Sequence, residues 1–255
     1  MKSAKVQHLE MFADIRVKID ELEDYNESYF ESDRADVLYA KNDEIQLILR
    51  DMAPSTREEQ IEHSFLIGKA LVMSTDDHNP EADANLSNAI RLDATHADSL
   101  YYLTQSSLNA GDIYMAHSCI ERLLRLSSDP RHQSLYTVVL RRLYAWNKSI
   151  QVHPSLAAPQ NPAQFMDQAL RISARLAISA PNDSVLWDRY ALAALFIQTM
   201  RKSPATESDV KSLRTAIVAL DKAAAIDGSR GRGTNPDRAY NRRMAERMIE
   251  EAGRV

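Results

Sequence analysis

The chain has 255 residues, 44% of them hydrophobic, and a net charge of −5. That is enough to bury a sizeable core, and it gives no general attraction to nucleic acid or to an anionic membrane. Cys119 is the only cysteine, which excludes an internal disulfide framework and a cysteine zinc site and fits a reducing compartment. With six glycines and no runs of alternating β-branched residues, the composition points to an all-α protein.

The opening residues, MKSAKVQHLE, lack an apolar core, so no secretory signal is expected. No stretch approaches the ~18 apolar residues of a membrane span. Leu9, Phe12, Ile15, Ile19 and Leu22 recur at helical spacing and predict a first amphipathic helix. Val37, Leu38, Ile45, Leu47 and Ile48 predict a second, starting after Ser32. Ser55 with Glu58 reads as a capping box for a helix over 57–73. Asn79-Pro80, Asp129-Pro130, Asn161-Pro162 and Asn235-Pro236 each pair an N-cap residue with proline at the first helical position. They predict helix starts at 80, 130, 162 and 236. Gly111 marks a tight turn before a helix over 112–126. The next helix carries 136–146, and the loop VHPSLAAPQNP separates it from a helix over 163–178. Trp187, Tyr190, Ala191 and Ala194 belong to a further helix. RKSPATES then leads, through a Thr206–Asp209 start, into the helix around Ala216. The segment GSRGRGT is read as a flexible basic connection, and a last helix over 235–250 follows it.

Four alanines reveal an internal repeat. Ala82, Leu86, Ala89 and Ala94 share their spacing with Ala116, Ile120, Leu123 and Ser128. Ala169, Ser173, Leu176 and Pro181 follow it, as do Ala216, Leu220, Ala223 and Gly228. The offsets are small residue, medium residue, small or medium residue, helix exit. Ala82 and Ala116 lie 34 residues apart, the period of the tetratricopeptide repeat. A small residue is needed where the two helices of a repeat cross, and Gly68 serves the same close packing. The expected fold is an all-α tetratricopeptide-repeat α-solenoid, a right-handed superhelix with a concave binding groove. Residues 1–54 would be N-terminal capping helices. Residues 55–252 would form about four repeats and a final unpaired helix.

The stretch from GKALVMSTDDHNPEADANLSNAIRLD through AHSCIERLLRL to VVLRRL, with TNPDRAYNR near the end, resembles the tetratricopeptide repeat protein 5 family. The AHSC tetrad, the VLR triplet and the NPD-x3-NR signature are not generic repeat positions. The resemblance runs from about Tyr29 to Arg243 and is to that family's N-terminal repeat region. It does not extend to the family's further repeats or its C-terminal oligonucleotide/oligosaccharide-binding-type domain.

The resemblance implies an adaptor of tubulin autoregulation. Such an adaptor recognises the N-terminal peptide of nascent tubulin, Met-Arg-Glu, at the ribosome. It then directs decay of the translated mRNA through a recruited mRNA-decay adaptor. The groove arginine of the family matches Arg141, the groove aspartate matches Asp237, and Asn241 and Arg242 match the polar pair after it. Arg141 would pair bidentately with the peptide glutamate, and Asp237 would accept from the peptide arginine. The alternative for both is a surface charge or an internal ion pair. Arg142 is expected in solvent. Arg91, and Arg230 and Arg232 of GSRGRGT, are candidate ribosomal contacts.

The histidines make no metal-ligand spacing, and His117 beside Cys119 suggests no nucleophile. No phosphate loop is present. The expectation is therefore a non-enzymatic, cytoplasmic adaptor, with a nuclear pool allowed, and with no cofactor, metal, small-molecule substrate or membrane partner. A generic co-chaperone reading acidic C-terminal tails is the alternative. Lys69, with no asparagine between 57 and 71, gives that reading little of the clamp it needs. A transcription-coactivator scaffold is a second alternative.

Overall fold

The computed structural model describes residues 4–28, 34–74, 77–150, 162–199, 206–230 and 235–253. Among these residues there are eleven α-helices and no strand. They are α1 (Ala4–Ser28), α2 (Arg34–Arg50), α3 (Arg57–Ser74), α4 (Pro80–Leu92), α5 (Ala97–Ala110), α6 (Ile113–Leu126), α7 (Pro130–Ile150), α8 (Pro162–Ser179), α9 (Ser184–Thr199), α10 (Glu207–Ser229) and α11 (Pro236–Ala252). The chain divides into two compact units, Met1–Ser127 and Ser128–Val255. No helix among the described residues is long and apolar enough to cross a membrane.

Each unit has the helix-on-helix packing of an α-solenoid. In the first, α3 pairs with α4 and α5 with α6; α5 also packs on α3 and α4, while α1 and α2 pack on each other and on α3. In the second, α7 pairs with α8 and α9 with α10; α9 packs on α7 and α8, and α11 on α9 and α10. The first helices of successive hairpins, α7, α9 and α11, therefore touch in series.

Caps account for most helix starts. Asn79 accepts from the Glu81 and Ala82 amides, and Asn235 accepts from the Asp237 amide at 2.9 Å. Thr206 and Asp209 form a reciprocal capping box. The box before α3 lies one residue beyond its expected place. Glu59, not Glu58, accepts from the Ser55 and Thr56 amides, and Thr56 accepts from the Glu59 amide. Thr56 and Glu59 stand three apart at the true helix start, so they satisfy the free amides that a Ser55–Glu58 pair would miss. Gly111 closes α5 with φ 76°, a left-handed turn that glycine adopts without strain.

The first three positions of all four repeat phrases are buried, with Ala82, Ala116, Ala169 and Ala216 each at 0% exposure. The fourth position is less regular. Ala94, Ser128 and Pro181 lie past the ends of α4, α6 and α8, but Gly228 is still inside α10. GSRGRGT is thus partly helical: α10 takes Gly228 and Ser229, and Arg230 forms its C-cap. Helix α7 starts at Pro130, where Asp129-Pro130 predicts it, with Asp129 as its cap, and so takes in residues ahead of 136–146. The loop VHPSLAAPQNP, up to its final proline, falls outside the described residues.

Gly68 shows how tightly the hairpins close. A Cβ there would stand 2.5 Å from Leu86 Cγ and 3.2 Å from the Ala82 carbonyl oxygen. Leu86 is fully buried and cannot swing away. Overpacking costs about 1–3 kcal/mol, and alanine regains up to about 1 kcal/mol of helix propensity. Gly68→Ala should therefore lose about 1–2 kcal/mol, and Gly68→Val more, read as a lower urea midpoint at unchanged slope. An unchanged midpoint would show that the α3–α4 spacing relaxes freely.

Candidate functional site

Both residues expected to read a peptide belong to the second unit, Arg141 on α7 and Asp237 on α11. They sit on the helices that flank α9, at the first-helix positions of their hairpins.

Arg141 follows Val139 and Leu140, which are fully buried. The residue as a whole is half-buried, but its Nε is covered and has no hydrogen-bond partner among the described residues. Burial is the main force on it and pushes the guanidinium down to about 10, with Arg189 and Arg142 acting in the same direction. A cation this close to packed side chains normally has a carboxylate against it. Here the charges that bear on it are two further cations. Arg142 is exposed, as expected, and Arg189 is half-buried on α9.

Helix α11 carries the other three candidates. Asp237 is exposed in the first turn, where the helix dipole also favours it. Asn241 is half-buried, and Arg242 is exposed. Arg242 turns to α10: it pairs with Asp221 there and donates to Glu246 of its own helix at 3.0 Å. At about 100° per residue, Asp237 and Arg242 are about 140° apart on the helix. Arg238 and Ala245, the inward stripe, lie between them. Asp237 and Asn241 thus share one side of the stripe, and Arg242 takes the other.

The candidates for ribosome contact are scattered. Arg91 is exposed near the end of α4 and donates to Asn88, which itself donates to Ser64. Arg230 donates to the Asn182 carbonyl at 2.9 Å. Arg232 lies outside the described residues. No metal-binding group of His, Cys, Asp and Glu occurs among the described residues. Cys119 is buried, and burial pushes its thiol up, away from the reactive thiolate.

Two features escaped the sequence reading. One is Arg189, which reaches the surroundings of Arg141 only because α9 packs on α7. The other is a buried ion network beneath α11. Arg238 donates from Nε to both oxygens of Asp188 at 2.8 and 2.9 Å, and from Nη2 to Asp188 at 2.6 Å. The same Nη2 lies 2.7 Å from Asp227. Ser184 donates to the other oxygen of Asp227 at 2.7 Å. The available signal was an arginine seven residues before Ala245, on the stripe that should be apolar.

No protein-family model matches this chain, and no curated protein matches it.

The covered Nε of Arg141 makes a stability prediction. At neutral pH Arg141 is charged in both folded and unfolded chains, so the burial penalty is fully present; it is relieved only as pH rises above about 10. Arg141→Met should remove that penalty, keep the volume and raise the melting temperature of the free protein, by roughly 2–4 °C for each kcal/mol regained. Arg142→Met, at an exposed position, should move stability by no more than about 0.5 kcal/mol. A lower melting temperature for Arg141→Met alone would mean that Arg141 is satisfied within the fold.

Proposed function

We propose that this chain is a helical-repeat adaptor that binds the N-terminal peptide of nascent tubulin at the ribosome and directs co-translational decay of tubulin mRNA. The observation that carries the reading is Arg141, half-buried, whose covered Nε has no acceptor and whose neighbouring charges are arginines among the described residues. A ligand carboxylate would supply what the fold leaves out. Met-Arg-Glu offers that carboxylate beside a cation, and Asp237 is exposed to receive the cation.

The dimensions are compatible. Packed helices stand 8–10 Å apart, so two steps from α7 to α11 span roughly 16–20 Å. A peptide arginine and glutamate projecting in opposite directions cover much of that, and Arg141 reaches in for the rest. Asn241, on the same side of α11 as Asp237, is suited to a peptide amide. Arg242 is engaged with Asp221 and Glu246, so its contribution is to hold α11 against α10. The AHSC, VLR and NPD-x3-NR residues are what favour tubulin over another acidic peptide. The same reading takes the ribosome and an mRNA-decay adaptor as partners, with Arg91, Arg230 and Arg232 as basic contacts, in the cytoplasm.

The test is a titration with a labelled peptide beginning Met-Arg-Glu. Truncating one partner of a desolvated charge pair costs about 2–5 kcal/mol. Arg141→Ala and Asp237→Ala should therefore each weaken binding by about 30-fold or more. A Met-Arg-Gln peptide should bind wild type as poorly as Met-Arg-Glu binds Arg141→Ala. Equal binding by wild type and both variants refutes the reading, and preference for a peptide with a free acidic C-terminus favours a co-chaperone. Capture of ribosomes translating tubulin, but not of other ribosomes, tests the cellular half.

A further inference from the structure

We propose that Arg238 is a positioning residue: its fork with Asp188 and Asp227 fixes the rotation of α11 about its own axis and so turns Asp237 and Asn241 to the ligand side. The ligand side is that of the peptide reading above, on which this clause rests; the rotational lock stands by itself.

Helix α11 has an unusually thin inward stripe. Its buried residues are Arg238 and Ala245, with Met248 and Ile249 partly covered against the core of α9 and α10. Alanine has little surface to key into a groove, and apolar contact is non-directional. Such a helix can roll with small loss of contact unless something directional holds it. The Arg238 fork is directional. A planar guanidinium meets Asp188 on α9 with both oxygens and Asp227 on α10 with one, so it is pinned from two helices at once. Ser184 in turn fixes Asp227 from the start of α9.

The network is poorly suited to a purely stabilising role. It sets two carboxylates against one guanidinium in a covered site, and burial pushes the Asp188 carboxyl up in spite of Arg238. Desolvation of this kind consumes most of the attraction between buried charges, so the role we assign to this network is definition of geometry. Asp237 is the next residue along the helix from Arg238, about 100° around it. Any roll that carries Asp237 away from its place pulls the guanidinium off Asp188.

Arg238→Lys tests this, because lysine keeps the charge and loses the fork. Local opening is read by amide exchange. In the full chain, amides of 239–249 should exchange at least about ten-fold faster, while those of α9 and the first half of α10 are unchanged. Unchanged exchange in α11 overturns the proposal, whether or not the peptide binds. With the Met-Arg-Glu peptide, Arg238→Lys should lose about ten-fold in affinity, and in an Asp237→Asn background, where only Asn241 is left to misalign, it should lose no more than about three-fold. A simply destabilising role would give the same fractional loss in both backgrounds, and that result also overturns it. Asp188→Asn, which keeps the shape and removes one arm of the fork, repeats the measurements should Arg238→Lys fail to fold. Failure of wild type to bind the peptide refutes the function proposed above and leaves the exchange result to decide this one.

Discussion

The close crossing of paired helices is the constraint on which the described structure depends. In both units the residue at the crossing has almost no side chain. Ala82, Ala116, Ala169 and Ala216 are completely covered, and Gly68 faces Leu86 and the backbone of Ala82 with no room for a methyl group. Small residues let helix axes approach, and the larger side chains four positions on then fill the grooves. Leu86, Ile120 and Leu220 occupy that second position in three hairpins, each at 2% exposure or less. The remaining hairpin, α7–α8, has Ser173 there, at 1% exposure. A hairpin built this way is stiff. Its first helix can carry charged side chains at fixed places without having to supply apolar area from every face.

That stiffness gives meaning to how the second unit treats its arginines. Arg238 and Arg141 are both substantially removed from water, and their surroundings are opposite. Arg238 is held by two aspartates that receive its donors at short distance. Among the described residues, Arg141 has a covered Nε with no acceptor, and two other arginines bear on it. A folded chain under no other demand loses such a group or pairs it, since an unmatched buried donor costs about 1–3 kcal/mol and a charge more. The difference between the two is therefore informative. One arginine completes the fold, and the other has no carboxylate against it among the described residues, which is where the proposed peptide glutamate would sit.

The sequence made the architecture legible to a large extent, and for identifiable reasons. The small-medium-small spacing of the four phrases is dictated by the helix crossing, so it survived in the residues themselves. Proline after Asn or Asp marks helix starts because only the first turn tolerates it, and α4, α7 and α11 start there. The errors were local. Thr56–Glu59 and Ser55–Glu58 are equally good capping boxes on paper, and only the true first turn separates them. The exit at Gly228 was misplaced because glycine is also tolerated one position inside a frayed helix end. The candidate site was less legible. Arg141, Asp237 and Asn241 were singled out by likeness to a motif, not by pattern, because periodicity cannot tell a ligand-facing charge from a solvated one. Arg189 comes near Arg141 through the packing of α9 on α7. The Arg238 network joins residues about fifty apart in the chain, and no local signal encodes such a meeting.

A binding site made from helix faces must solve a problem that loops do not have: a helix is nearly symmetric about its axis, so a side chain's direction depends on what stops the helix from rolling. Helix α7 solves this with bulk, through Leu135, Val139, Leu140, Leu143 and Tyr144, all buried. Helix α11 lacks that bulk and uses a charged fork between α9 and α10. The two solutions respond differently to substitution. An apolar ridge degrades gradually as methylenes are lost, whereas a fork either closes or does not. The Arg141 edge of the proposed site should therefore tolerate variation in the packing beneath it. The Asp237 edge depends on three charged side chains and a serine hydroxyl meeting at one point, and a sequence that keeps Asp237 while losing any of them would keep the residue and lose its direction.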